Sequence, residues 1–333
     1  DQQRTVSRFR DWMDLAEQVA AGRQIRQSEG LAILQTPDDE LLELLAAAYW
    51  LRRRRHGNRV HLNVLLNAKS GLCREDCGYC SQSSVSRADI PRYRILKAEE
   101  IISAARRAAQ QGARTYCIVV SGRSPTDREL QTVAEAVRQI KAELPLRICV
   151  SPGFLDLAQA QLLARSGVDR VNHNLNTSQR YYPHICTTHS YQQRLDTLAA
   201  VRQAGMEICC GGIVGMGESP EDVVEMALRI GQLRAEAVPV NFYQPIPGTP
   251  LARPTTLTPQ YCLKVLCLFR MTNPNCELRI AAGREMHLRS LQPLGLFVAD
   301  SIFVGDYLTT KGQPAEDDFR MIADLGFEPV VES

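Results

Sequence analysis

His61-Leu-Asn-Val-Leu-Leu-Asn-Ala-Lys-Ser-Gly-Leu-Cys-Arg-Glu-Asp-Cys-Gly-Tyr-Cys-Ser81 opens as a strand and closes as a loop of thiols. Its β-rich first part predicts a strand over His61 to Asn67, and its last part carries Cys73, Cys77 and Cys80 at C-x3-C-x2-C spacing. Thiolates at that spacing can converge on a cubane iron–sulfur cluster, which takes four ligands and here finds three close together. An iron without a protein ligand can bind a small molecule, so such a cluster can do chemistry as well as carry electrons. Zinc is the alternative, but it calls for a fourth Cys or His, usually in a second short-spaced pair, and none follows in that register.

Beyond this segment the chain settles into short β-rich runs separated by long amphipathic stretches. The further strands are expected at Thr115 to Val120, Leu146 to Val150, Val168 to Asn172, Glu207 to Val214, Val238 to Tyr243, Glu277 to Ala281 and Ser301 to Val304. Helices are expected at Ala98 to Gly112, Glu129 to Leu144, Ala158 to Gly167, Ser190 to Gly205, Pro220 to Arg234 and Pro259 to Met271, several closing on glycine. Strands alternating with helices over ~250 residues predict an α/β fold, a (β/α)8 TIM-type barrel, with a doubly wound open sheet as the alternative. The expected division is an N-terminal helical cap over residues 1–58 and the barrel over 59–333. In a barrel, chemistry gathers at the C-terminal ends of the strands. The cysteine loop follows the first expected strand. Cys117, Cys149, Asn172 with Asn174, Cys209, Asn241 and Arg279 fall on or just after the next six.

Composition narrows the classes. A chain of 333 residues with 44% hydrophobic content can bury a large core, and a net charge of +2 gives no reason to expect a nucleic-acid partner. The basic run Arg52 to Arg55 ends a helix that starts near Thr36-Pro37 with acids in its first turn, and is read as a solvated helix end matched to the dipole. No run of 18 apolar residues and no signal peptide is visible, so neither a membrane partner nor export is expected and the setting is taken as cytoplasmic. Eleven cysteines then read as reduced thiols and metal ligands rather than a disulfide framework.

The triplet, with an aromatic residue just before its last cysteine, resembles the radical S-adenosylmethionine superfamily. A wider likeness runs over roughly residues 35 to 327. It includes Asn67 to Gln82, Asn172-His-Asn-Leu-Asn-Thr-Ser178, Gly211-Gly-Ile-Val-Gly-Met-Gly-Glu218, Val240-Asn-Phe, Gly248-Thr-Pro-Leu251 and Arg279-Ile-Ala-Ala-Gly-Arg-Glu285, and it resembles the biotin synthase family. That resemblance implies a 4Fe-4S cluster on Cys73, Cys77 and Cys80 whose open iron binds S-adenosyl-L-methionine. It also implies a 2Fe-2S cluster on Cys117, Cys149, Cys209 and Arg279 that gives up sulfur to dethiobiotin. It implies cofactor contacts at Tyr79, Asn172, Asn174, Arg194, Gly211, Gly212, Ile213 and Glu218, and substrate contacts at Asn174 and Asn241. No side chain beyond the cluster ligands is expected to be catalytic. A flavodoxin- or ferredoxin-type reductant and a homodimer complete what the likeness implies.

Several residues have readings of their own. Cys209 and Cys210 are adjacent, so in a strand they point to opposite faces and only one can reach the interior; the family pattern selects Cys209. Gly211 to Glu218 is not a dinucleotide loop, and its glycines suit close approach of backbone to a flat ligand. Arg194 reads as a carboxylate partner or a helix-surface arginine. Asparagine amides complement a cyclic urea, which offers two N–H donors and a carbonyl. Asn176 stands where some family members carry Asp, which leaves its role open, and His173 is expected to be structural. Cys186, Cys262, Cys267 and Cys276 fall outside the pattern and are read as structural. Another radical S-adenosylmethionine barrel, akin to a hydrogenase maturase or methylornithine synthase, would not need Cys117, Cys149, Cys209 and Arg279 together, and a non-catalytic iron–sulfur or zinc protein is the rival from a different class.

Overall fold

The computed structural model describes residues 2–253 and 256–330, with side chains from residue 9 onward; residue 1 and residues 331–333 of the two expected units lie outside the described residues. Its centre is a closed barrel of parallel strands. These are β1 (Arg59–Lys69), β2 (Thr115–Val120), β3 (Arg147–Ser151), β4 (Arg170–Asn172), β5 (Glu207–Cys209), β6 (Gly212–Val214), β7 (Ala237–Phe242), β8 (Glu277–Ile280) and β9 (Ser301–Phe303). Neighbours pair in parallel around the circle, and β1 pairs β9 through Leu62 and Ile302 to close it. A short tenth strand, β10 (Glu328–Pro329), pairs only with the start of β1.

The expected fifth strand, Glu207 to Val214, is two pieces. β5 and β6 both run along β7, and Cys210-Gly211 interrupts them. Together they fill one position, so the barrel has the eight staves that the alternation predicts.

Strand alternation sorts the side chains. On β2, Tyr116, Ile118 and Val120 join the main core under the helices, while Cys117 points the other way; Ile148 and Val150 flank Cys149 on β3 in the same fashion. Cys117, Cys149, Cys209 and Ala237 form a separate interior group against Leu65 and Phe303. Cys210 belongs to the outer core, so the two adjacent cysteines part to opposite faces as period two requires.

Helices α4 (Ala98–Gln110), α5 (Asp127–Glu143), α6 (Leu157–Arg165), α7 (Tyr191–Gln203), α8 (Pro220–Leu233) and α9 (Pro259–Thr272) lie within two residues of their expected bounds. Reciprocal side-chain caps explain several starts: Thr126 with Glu129, Asp156 with Gln159, Ser190 with Gln193 and Ser219 with Asp222. α9 is buried continuously from Cys262 to Met271, because α1 (Gln2–Ala20), α2 (Gln27–Leu34) and α3 (Leu41–His56) pack over its outer side. Cys262 and Cys267 are therefore core residues.

The arginine run corrects its sequence reading at one position. Arg53, Arg54 and Arg55 are exposed, but Arg52 is fully buried. Its guanidinium donates to the carbonyls of Ala299 (3.1 Å), Arg59 (2.9 Å) and Gly57, and lies 4.3 Å from the centre of the Phe327 ring. A buried arginine needs acceptors, and the turn between α3 and β1 supplies backbone carbonyls.

Candidate active site

The loop after β1 holds the cysteine triplet where a barrel carries its chemistry. Hydrogen bonds fix it at several points: Gln82 Oε1 accepts from Gly71 N (2.9 Å), Ser121 Oγ donates to the Gly71 carbonyl, and Cys77 O accepts from Cys80 N (3.1 Å). Gly78 N donates to Ile185 O (2.8 Å), joining this loop to the one after β4. Burial pushes the Cys80 thiol up to about 11, so a metal is what would make it a thiolate.

Below the loop, inside the barrel, Cys117 and Cys149 are register partners on β2 and β3, and Cys149 also contacts Cys209 across the gap to β5. Hydrogen bonding to Cys117, together with burial, raises Cys149 above an ordinary thiol. Arg279 on β8 is almost fully buried. Its Nη2 donates to Glu277 Oε1 (2.6 Å) and its Nε to Ser301 Oγ (3.1 Å), which leaves Nη1 without an acceptor among the described residues. Burial pulls this guanidinium down, but Glu277, joined by Cys209 and Cys117 once they are ionised, outweighs it and holds it above its ordinary value. Three thiols beside a guanidinium are soft donors suited to a thiophilic metal or an iron–sulfur cluster, and the cation offsets the negative charge that three bound thiolates bring.

A cavity of about 260 Å³ joins the two groups. Tyr79 and Cys80 line it from the loop and Cys117, Cys149 and Arg279 from below, with Asn172, Asn174, Ile213 and Asn241 between. Cys209 lies beneath it, and Cys73, Cys77, Arg194, Gly211, Gly212 and Glu218 are not on its wall. The amides form a chain. Asn172 Nδ2 donates to Asn174 Oδ1 (3.0 Å), which also accepts from Gly211 N (2.9 Å); Asn241 donates to Gly212 O (3.1 Å) and accepts from Ala282 N (3.2 Å). Asn176, whose φ is 71°, gives its Nδ2 to Tyr79 Oη (2.6 Å), so its amide braces the aromatic residue of the cysteine loop.

Several of the expected cofactor positions also have partners within the protein. Gly211 and Gly212 are glycines because protein occupies the space of their side chains. A Cβ on Gly211 would meet Pro239 O at 1.8 Å, and one on Gly212 would meet Met226 Sδ at 2.1 Å. Gly211→Ala is therefore expected to lower stability by ~3 kcal/mol through forced strand displacement, measurable by anaerobic thermal unfolding; an unchanged midpoint would contradict this packing. Glu218 has its carboxylate taken up by Gly215 N (2.6 Å) and Met216 N (2.8 Å), so it shapes the loop. Arg194 is no surface residue: it is buried, donating to Asn174 O (3.1 Å) and to Tyr182 Oη.

Sequence reasoning missed Cys186 and His189. Both lie in the loop after β4 and touch Cys77. The signal available was weak: two reactive residue types in one C-terminal barrel loop. His173 is buried against the Phe154 ring and pushed well below its ordinary value by burial, which keeps it neutral and agrees with a structural role.

The closed parallel barrel, with a thiol loop at its C-terminal mouth, defines a radical S-adenosylmethionine enzyme: residues 67–230 match that superfamily, and residues 239–328 match the biotin and thiamin synthesis associated domain. A biotin synthase of Anoxybacillus flavithermus is 53% identical over 318 residues, covering 96% of this chain and 97% of that protein. One of Rhodopirellula baltica is 53% identical over 314 residues, covering 94% and 88%. The chain belongs to the biotin synthase family. Methylornithine synthase shares the fold at a TM-score of 0.82 and 21% identity, covering 95% of this chain and 97% of that one. The FeFe-hydrogenase maturase HydG from Carboxydothermus hydrogenoformans does so at 0.81 and 17%, covering 99% and 83%. At such identities the likeness concerns architecture alone.

Proposed function

We propose that this chain forms biotin by inserting one sulfur atom between two unactivated carbons of dethiobiotin. The observation that carries the reading is one cavity bordered on one side by the cysteine loop and on the other by Cys117, Cys149 and Arg279, with Cys209 beneath. A 4Fe-4S cluster held by Cys73, Cys77 and Cys80 with S-adenosyl-L-methionine would supply a 5′-deoxyadenosyl radical, and a 2Fe-2S cluster held by Cys117, Cys149, Cys209 and Arg279 would supply sulfur.

The remaining residues bind, orient and exclude water. Asn174 Nδ2 has no acceptor among the described residues and faces the cavity, where it can donate to the carbonyl of a cyclic urea. Asn241, on β7, would hold the other side through an amide already fixed by Gly212 and Ala282. Arg194 spends Nε and Nη1 on Tyr182 and Asn174, leaving Nη2 for the carboxylate of the cofactor's methionine portion. Tyr79, Asn172 and Ile213 would border the same cofactor from the cavity wall, with the rest of the Gly211 to Glu218 turn behind them. Leu65, Phe242 and Phe303 add apolar side chains to the wall, and excluding water there once substrate is bound would protect a carbon radical from quenching. An electron donor of the flavodoxin or ferredoxin type, a homodimeric state and a cytoplasmic setting belong to the same proposal. Among the described residues no helix is long and apolar enough to cross a membrane.

The test is anaerobic reconstitution with iron and sulfide, then incubation with S-adenosyl-L-methionine, a reductant and dethiobiotin. Biotin detected by mass spectrometry is the expected result. Its absence from protein carrying both clusters would overturn the reading.

A further inference from the structure

Cys186 stands outside both ligand sets yet lies against a member of one. Its Sγ is 3.7 Å from Cys77 Sγ, and His189 Nε2 is 3.5 Å from Cys77 Sγ and 3.2 Å from Cys186 Sγ. All three side chains are buried. Among the described residues these three gather their donor atoms within 4.8 Å of one another, which Cys73, Cys77 and Cys80 do not.

The contact is held from several directions. Asp76 Oδ1 accepts from Thr187 N (2.9 Å), Thr188 N (3.2 Å) and the Cys186 thiol (3.1 Å). Thr188 Oγ1 donates to Glu75 Oε2 (2.5 Å), and Arg123 pairs with the same carboxylate (3.1 Å). Tyr182 Oη meets His189 Nδ1 at 2.8 Å. Residues 185–189 are thus laced to the cysteine loop by side chains of Glu75 and Asp76, the two residues just before Cys77. A cysteine that served only to fill the core would not need this lacing.

We propose that Cys186 is a resolving thiol for Cys77: when a peroxide strips the cluster from the triplet, Cys186 closes a disulfide with Cys77 and keeps the site open to repair. The inference rests on Cys77 being a cluster ligand, as proposed above. Hydrogen peroxide oxidises the freed Cys77 thiol to a sulfenic acid, its O–O bond breaking with release of one water. Cys186 Sγ then attacks that sulfur; the S–O bond breaks, and the oxygen leaves with the Cys186 proton as a second water. Two thiols and one peroxide thus give one disulfide and two waters. The sulfurs must close from 3.7 Å to about 2.05 Å, and both sit on loops that can yield that distance. Without a partner thiol, Cys77 would go on to the sulfinic and sulfonic acids, which a thiol reductant does not reverse.

The experiment uses full-length protein loaded anaerobically, with cluster content checked by visible absorption and iron analysis before oxidation. A chain that never acquires the cluster would count against the ligand assignment; the resolving role is read separately. Protein is treated with hydrogen peroxide and a chelator, free thiols are blocked, and peptides are mapped by mass spectrometry. The expected product is a Cys77–Cys186 disulfide. After reduction with a dithiol and renewed iron and sulfide, Cys186→Ser and Cys186→Ala should regain about fivefold less cluster absorption than the parent, with Cys77 recovered as sulfinic or sulfonic acid. Far-UV circular dichroism before oxidation shows whether each variant is folded. Cys77 found paired with Cys73 or Cys80, or variants that recover as fully as the parent, would overturn the proposal.

Discussion

Cys149→Ala is expected to abolish biotin formation while leaving S-adenosyl-L-methionine cleavage in place. Cys149 is the middle thiol of its set, register partner of Cys117 and in contact with Cys209. Its loss opens the ring of donors where no neighbouring thiol can substitute, because Cys210, next in line, points into the outer core. The fold should tolerate the change. Cys149 already lines a cavity, so removing one sulfur enlarges an existing space and costs only about 1 kcal/mol. The loop bearing Cys73, Cys77 and Cys80 is anchored by Gln82, Ser121 and Ile185, none of which depends on Cys149. Iron per chain should therefore fall by about a third, the share of a 2Fe-2S cluster beside a 4Fe-4S one. 5′-Deoxyadenosine should still form, and biotin should drop below detection by mass spectrometry. Biotin from this variant would mean that the sulfur comes from elsewhere.

The barrel was legible because its strands are local facts. Thr115 to Val120 is a β-branched and aromatic run whose bounds the structure reproduces, and glycines such as Gly112 and Gly205, just past the helix ends, mark where the helices stop. The grouping of Cys117, Cys149 and Cys209 came from the family resemblance, and alternation along the strand added that Cys209 and Cys210 face opposite sides, as they do. What escaped depends on contacts far apart in the chain. The break at Cys210-Gly211 arises from Pro239, which fills the place of the absent side chain. Arg52 is buried because the turn before β9, through the Ala299 carbonyl, and the ring of Phe327 close over it. Cys186 meets Cys77 because Asp76 and Glu75 hold a loop more than a hundred residues away. Arg194 could be read either way until Tyr182 and the Asn174 carbonyl were seen around it.

Glu277 was likewise invisible as anything but the first residue of a strand, and Glu277→Gln is the substitution expected to cost the fold most. Its Oε1 accepts from Arg279 Nη2 (2.6 Å) and Ser301 Oγ (2.7 Å), and its Oε2 from Arg170 Nη1 (2.8 Å). One carboxylate thus lies between two buried guanidinium groups. Arg170 keeps a second partner in Glu207 (2.8 Å), but no other carboxylate among the described residues bonds Arg279. Glutamine removes the charge and turns an N–H toward an arginine, leaving buried positive charge uncompensated at a cost of about 3–5 kcal/mol. Over 333 residues this corresponds to a fall of roughly 4–7 °C in the anaerobic melting midpoint. The sign of the pH dependence follows from the carboxyl group. Burial opposes its ionisation, yet Arg279 and Arg170 outweigh burial and hold it well below the ordinary value of 4.5. Its contribution is fully present above that ordinary value and is lost only as pH falls toward the depressed folded one. The gap between parent and variant should therefore stay constant from about pH 8 down to about 5.5, and a gap that closes within that window would show that Glu277 is not held ionised by the two arginines. The same substitution frees Arg279 Nη2, so the guanidinium loses the anchor that holds it beside Cys209 and Cys117, and loading of the second set should weaken even in the fraction that stays folded.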